Sequence, residues 1–125
     1  MTNEVITLLC PIHAAAGRGS ELKAALQTLA AETVKEAGNI CYRLHATDNP
    51  DEFIIYEQWK NQAALDSHMA TDHLGKFLAD EKGLLAKQPA GKFLKEFVST
   101  GGASMGVIRQ EHDMASGKFI ALRKL

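Results

Sequence analysis

Four side chains within a short stretch of the chain could do chemistry together: Glu57, Trp59, His68 and His73. In a β-strand, residues two apart share a face, so Phe53, Ile55, Glu57 and Trp59 would form one row. That row carries a carboxylate into largely apolar surroundings. Burial without a cationic partner raises a carboxylate's pKa and suits it to general-base work. The structural alternative is an ion pair with Arg43 across a hairpin. Trp59 offers a flat face for an aromatic ligand, or simply fills a core. His68 and His73 are five apart, so on one straight helix they would diverge by about 140°. They can face a common cavity only if the helix breaks between them, and Thr71-Asp72 is a capping pair at that place. Otherwise each is a surface or capping histidine. The His-x4-His spacing misses the i, i+4 pair of helical zinc sites and no third ligand is evident, so no metal is expected. Tyr42 is a candidate proton donor or core residue. His13, His45 and His112 fall on strand ends or in the C-terminal segment and are expected in solvent.

The elements that must position these groups follow from pattern. Val5 to His13 is β-branched and apolar and reads as a strand. Ala16-Gly17-Arg18-Gly19 is a turn, too short and ill placed for a phosphate loop. Ser20 then offers an N-cap, and Leu22, Ala25, Leu26, Leu29, Ala30 and Val34 recur at helical spacing over about 21–37. Gly38 suits a left-handed C-terminal cap. Residues 39–47 alternate, with Ile40, Tyr42 and Leu44 opposed to Cys41, Arg43 and His45. Asp48-Asn49-Pro50-Asp51 is a turn, and residues 53–60 form the returning strand. Asn61 caps a second helix from Gln62, which restarts near Thr71-Asp72 and carries Leu74, Phe77, Leu78, Leu84 and Leu85 toward Pro89. Lys92 to Ser99 reads as a fourth strand.

The order β-α-β-β-α-β predicts an α+β ferredoxin-like domain, an antiparallel four-stranded sheet with its helices on one face. The second sheet face then needs cover, which a second copy would supply, so a homodimer is expected. The domain is read as residues 1–100. Residues 101–125 are read as a C-terminal extension, a hairpin arm (Val107 to Glu111, Lys118 to Leu125) beyond a glycine-rich joint.

Composition narrows the function classes. At 125 residues the chain suits one domain. Its 46% hydrophobic and 23% charged residues argue against wholesale disorder. A net charge of −1 with dispersed lysines and arginines excludes the basic footprint of a nucleic-acid or membrane-surface binder. Cys10 and Cys41 sit in apolar, strand-like runs without metal spacing and read as reduced thiols. The start Met1-Thr2-Asn3-Glu4 lacks signal-peptide character and no apolar run approaches a membrane span, so a cytoplasmic location is expected.

The run from Tyr56 to Leu74, with Glu57-x-Trp59, a short polar turn, Ala63-x-Leu65 and His68-x4-His73, resembles the antibiotic biosynthesis monooxygenase family. Gly38-Asn39 before a strand containing Tyr42 is similar as well, and the resemblance covers residues 4–99. It implies a dimeric α/β barrel. The family includes quinol and anthrone monooxygenases that use O2 without metal or flavin, autoinducer-2 phosphate isomerases and haem-degrading enzymes. By this resemblance Trp59 corresponds to the active-site tryptophan of the anthrone monooxygenases. Ile55 and Leu65 stand where those enzymes have asparagine and tyrosine, and Leu78 stands near the haem degraders' axial histidine. The match therefore points away from haem and toward the quinol monooxygenases and isomerases, which share both histidines.

The expected function is cofactor-independent oxidation of a small phenol or hydroquinone by O2. Glu57, His68 or His73 would act as base, and Trp59, Ile55, Leu65 and Tyr42 would line the substrate pocket. The alternatives are isomerisation of a small hydroxy-ketone and ligand binding without catalysis. A phosphate-bearing substrate would need a cation, for which Arg43 is the obvious candidate.

Overall fold

The computed structural model describes residues 4–100. The order is β1 (Ile6–His13), α1 (Gly19–Thr33), β2 (Asn39–Ala46), β3 (Glu52–Trp59), α2 (Gln62–Met69), α3 (Asp72–Ala79) and β4 (Lys92–Leu94). The strands form one antiparallel sheet in the spatial order β2-β3-β1-β4. This is the ferredoxin-like α+β arrangement, with the second helical region in two pieces. Among the described residues, those up to Leu94 form one compact unit and residues 95–100 fall outside it. The C-terminal hairpin expected over 107–125 lies outside the described residues.

The core lies between the helices and one face of the sheet. Alternation sends Ile6, Leu8, Cys10 and Ile12 of β1 to the same side as Trp59, Glu57, Ile55 and Phe53 of β3, which they face in that order. Leu22, Leu26 and Leu29 of α1 recur at helical spacing and are at most 4% exposed. Each such side chain contributes roughly 2 kcal/mol by leaving water. That surplus lets the sheet tolerate one carboxylate in the apolar row.

Several local expectations are met by different chemistry. Helix α1 starts at Gly19, not after Ser20, and no side chain of its own caps it. Instead the Asp51 carboxylate, from the β2–β3 turn, accepts the N–H groups of Gly17 and Gly19 at 2.9 Å each. A carboxylate there satisfies orphan donors and complements the positive end of the helix dipole. Gly17, at φ 76°, makes the turn possible.

Helix α1 ends at Thr33, not Ala37. The buried Thr33 hydroxyl donates back to the Leu29 carbonyl at 2.8 Å, a bond that competes with straight helix continuation. The chain then tightens into i, i+3 bonds, Lys35 N–H to Glu32 and Glu36 N–H to Thr33. Gly38 is not left-handed. Its role is close approach: a Cβ built there would lie 2.3 Å from the Ala64 Cβ of α2.

In β2 the register slips between Asn39 and Cys41. Ile40 is the extra residue of a bulge and turns outward, 50% exposed, rather than joining Tyr42 and Leu44. The break at Thr71-Asp72 is present. Asn61 and Thr71 cap α2 and α3 by accepting the N–H groups of Ala64 and Leu74. Helix α3 stops at Ala79 because Asp80 turns left-handed and its carboxylate takes the N–H groups of Leu84 and Leu85. Leu84 and Leu85 therefore lie in a loop that bonds to the end of β1 instead of continuing the helix. Strand β4 has three residues where eight were expected.

Candidate functional site

Glu57 is the polar member of the inner row of β3, and it is 6% exposed. The register places Tyr42, not Arg43, opposite it. Arg43 faces Tyr56 on the other side of the sheet and is exposed, which removes the cross-hairpin ion pair. The Trp59 indole N–H donates to Glu57 Oε1 at 2.8 Å. Burial pushes the Glu57 carboxyl above its usual range; the Trp59 hydrogen bond and nearby His68 oppose that shift, and Glu36 adds to it.

His68 is 2% exposed, on the inner side of α2. Its Nδ1 lies 2.9 Å from Glu36 Oε2, and His73 Nε2 lies 2.7 Å from the same oxygen. A carboxylate oxygen accepts, so each imidazole donates the N–H that faces Glu36. The break between α2 and α3 is what brings both rings onto one oxygen. For a neutral His68 this fixes the tautomer: Nδ1 carries the proton, and Nε2 presents a lone pair. That Nε2 points toward Glu57 Oε1 at 4.0 Å, too far for a direct hydrogen bond.

Trp59, expected to hold a substrate ring, is wholly buried. Its indole stacks on His68, with ring centroids 4.4 Å apart and planes 30° from parallel. The ring it holds in this structure is an imidazole. Tyr42 meets the same imidazole edge-on at 5.9 Å. Burial drives the Tyr42 phenol well above its ordinary range, with Glu57 adding to the effect. The Cys10 thiol is pushed up to about 11 by burial first and by Glu57 second. Cys10 and Cys41 are both free thiols.

Glu57, His68, Tyr42 and Cys10 border a cavity of about 370 Å³ between the sheet and α2–α3. Its wall combines Glu57, His68, Tyr42 and Cys10 with Leu8, Ile12, Leu29, Ile55, Leu65, Leu74, Phe77 and Leu78. Ile55, Leu65 and Tyr42 line this cavity and Trp59 does not, while His68 and Glu57 converge on the same space. His73 approaches from behind, through Glu36. A larger open groove between α1 and α3 is lined by small and charged surface residues and brings no buried polar group to a focus. The sequence offered no role for Glu36. One signal was there to read: an acid beyond the C-terminus of α1, the end where a helix dipole disfavours negative charge, needs another reason to be present.

The sequence profile of antibiotic biosynthesis monooxygenases matches residues 6–80, the stretch that builds this cavity apart from the loop and β4. The chain belongs to that family. The antibiotic biosynthesis monooxygenase fold is shared by solved structures of PA3566 from Pseudomonas aeruginosa and Rv0793 from Mycobacterium tuberculosis. The first is 30% identical with a TM-score of 0.70, covering 78% of this chain and 99% of the other. The second is 21% identical with a TM-score of 0.69, covering 78% and 100%. A further structure, described as an antibiotic biosynthesis monooxygenase, is 18% identical with a TM-score of 0.66, covering 73% and 97%. At those lower identities the likeness concerns the fold alone. Among curated proteins, an uncharacterised protein of Synechocystis is 34% identical over 76 residues, which span 60% of this chain and 52% of that protein. Among the described residues, no helix is long and apolar enough to cross a membrane.

Proposed function

We propose that this family member oxidises a small, uncharged phenol or hydroquinone with O2, using His68 as the general base and no cofactor. The observation that carries the reading is the Glu36–His68 pair. Glu36 holds the Nδ1 proton, so the base available to the cavity is Nε2, in a wall otherwise made mostly of apolar side chains. Glu36 also stabilises the imidazolium that forms when Nε2 accepts a proton.

The chemistry balances without an external reductant. His68 Nε2 takes the phenolic proton, and the electron-rich ring carbon of the phenolate bonds to O2. The peroxide anion so formed takes up the proton of that ring carbon, the C–H electrons form the new carbonyl as the O–O bond breaks, and the departing hydroxide becomes water with the proton from His68. A hydroquinone and one O2 give a hydroxyquinone and one water. All four electrons come from the substrate. The many apolar side chains of the wall favour this route by limiting competing solvent.

The lining bears on substrate charge. Among the described residues of the cavity wall there is no lysine or arginine, and Arg43 lies on the opposite sheet face. A phosphate ester would be buried without a counter-ion, which disfavours the phosphorylated hydroxy-ketone alternative. The test is oxygen consumption with a panel of hydroquinones and uncharged hydroxy-ketones, followed beside product mass. Uptake of one O2 per hydroxyquinone supports the proposal. Isomerised product without uptake, or binding without turnover, overturns it.

A further inference from the structure

The atoms that arrange protons around Glu36 also form a set of metal donors. Glu36, His68 and His73 each bring one ligand atom within 4.8 Å of the others, and Glu36 Oε2 already touches His68 Nδ1 and His73 Nε2. They come from three separate segments: the turn after α1, the last turn of α2 and the first turn of α3. Sequence spacing argued against a metal because the two histidines lacked a third ligand. The turn after α1 provides it.

We propose that Glu36, His68 and His73 bind a divalent transition ion of the zinc type, and that a bound ion withdraws His68 from base duty. Two imidazoles and one carboxylate are a donor set that suits zinc, cobalt and nickel. Magnesium and calcium, which require oxygen ligands, are disfavoured because two of the three donors are nitrogens. Bonds of about 2.0–2.1 Å in a tetrahedron place ligand atoms roughly 3.3 Å apart. The two Glu36 contacts, 2.9 and 2.7 Å, open by about half an ångström to reach that spacing, and the two histidine nitrogens, within 4.8 Å of each other, draw together by side-chain rotation. Side-chain exposure rises from 3% at His68 through 14% at Glu36 to 24% at His73. An ion therefore has an approach from the His73 side, where a water can complete its shell.

Binding rearranges protons without requiring their loss. The ion takes the place of the two N–H protons on Glu36. The His68 proton moves from Nδ1 to Nε2, and the His73 proton moves from Nε2 to Nδ1. The cavity then faces an N–H at His68, with no lone pair left to accept a substrate proton. This inhibitory consequence rests on the proposed role of His68; the ion site itself does not.

The test starts from chelator-treated, dialysed full-length protein titrated with Co2+. The expected result is one-to-one growth of the visible absorption of tetrahedral Co2+, displaced by Zn2+, with a higher melting temperature in Zn2+. Glu36→Gln and His73→Ala should each weaken binding by at least ~100-fold, the scale on which even a supporting contact matters. His45→Ala, at an exposed position on β2, should leave it unchanged. His73 is partly exposed, so its variant provides a folded test if Glu36→Gln proves unstable. No absorption and no thermal shift overturn the site, as does binding that survives in His73→Ala. With an active substrate in hand, Zn2+ should suppress turnover in proportion to occupancy. Full occupancy with full turnover overturns the inhibitory role and leaves the ion site standing. Absence of turnover with every substrate would count against the proposed function alone.

Discussion

Trp59 donates its indole N–H to Glu57, its neighbour two residues back on the same strand face, at 2.8 Å. The same indole stacks on His68. One fully buried aromatic therefore fixes the buried carboxylate and the buried imidazole relative to each other. A side chain expected to meet substrate acts in this structure on the groups that would.

His68→Ala should lower kcat by ~10²-fold or more. Glu36→Gln keeps the size of the side chain but removes the charge that steadies the imidazolium. It should lower kcat with little change in KM. Steady-state kinetics on both variants, with circular dichroism to confirm folding, check this. An unchanged kcat in His68→Ala removes it as the base.

Glu57→Gln should stabilise the protein at neutral pH. The folded-state pKa of Glu57 is raised, chiefly by burial. For a raised carboxyl the folded state holds its proton longer than the unfolded one, so stability falls as pH rises from the unfolded pKa to the folded one. Glutamine can still accept the Trp59 N–H without that penalty. Thermal melts from pH 4 to 8 should show the variant's advantage growing with pH and then levelling. A wild type that stays more stable at pH 7 would mean that the charge is better compensated than its surroundings indicate.

Cys10 should alkylate slowly in the native protein. Its thiol pKa is pushed up to about 11, and the thiolate is the reacting species. Peptide mapping after iodoacetamide treatment at pH 8 should find Cys10 largely unmodified until denaturant is added, and protected further by a cavity-filling ligand. Rapid native labelling of Cys10 would contradict the burial described.

A homodimer is expected, formed through the sheet face away from the helices. That face carries Leu9, Pro11, Ile54 and Tyr56, each half-buried, in an alternation that leaves an apolar surface for a second sheet. Light scattering at micromolar concentration checks it. A stable species at the chain mass of 13.6 kDa would exclude the dimer.

Regular periodicity carried most of what could be read from sequence. The two-residue alternation of β3 put Phe53, Ile55, Glu57 and Trp59 on one face, where they are all buried. Capping chemistry placed the break at Thr71. Features that depend on contacts distant in sequence did not announce themselves. The cap of α1 comes from Asp51, 32 residues beyond Gly19. The Ile40 bulge exists only in relation to the strand beside it. Glu36 read as the end of a helix because helical spacing continues to Val34, whereas the Thr33 back-bond and the turn after it direct the carboxylate to two histidines 32 and 37 residues away. Leu84 is buried as helical periodicity suggested, yet it arrives there from a loop. Apolar spacing reports burial more faithfully than it reports backbone shape.

The contact between Gly38 and Ala64 works as a spacer between two pieces of machinery. Gly38 follows Glu36 by two residues, and Ala64 precedes His68 by one helical turn. With only 2.3 Å available for a Cβ at position 38, Gly38→Ala must push α2 outward by roughly 1.2–1.7 Å to reach ordinary van der Waals separation. A hydrogen bond of 2.9 Å does not survive such a stretch. The two positions are therefore mechanically linked: a methyl gained at one requires a methyl lost at the other. Gly38→Ala alone should break the Glu36–His68 pair and lower turnover, and adding Ala64→Gly should restore both, less the roughly 1 kcal/mol that glycine costs inside a helix. In diverging members of the family these two small residues should drift as a pair, their combined volume held constant by a proton that neither of them touches.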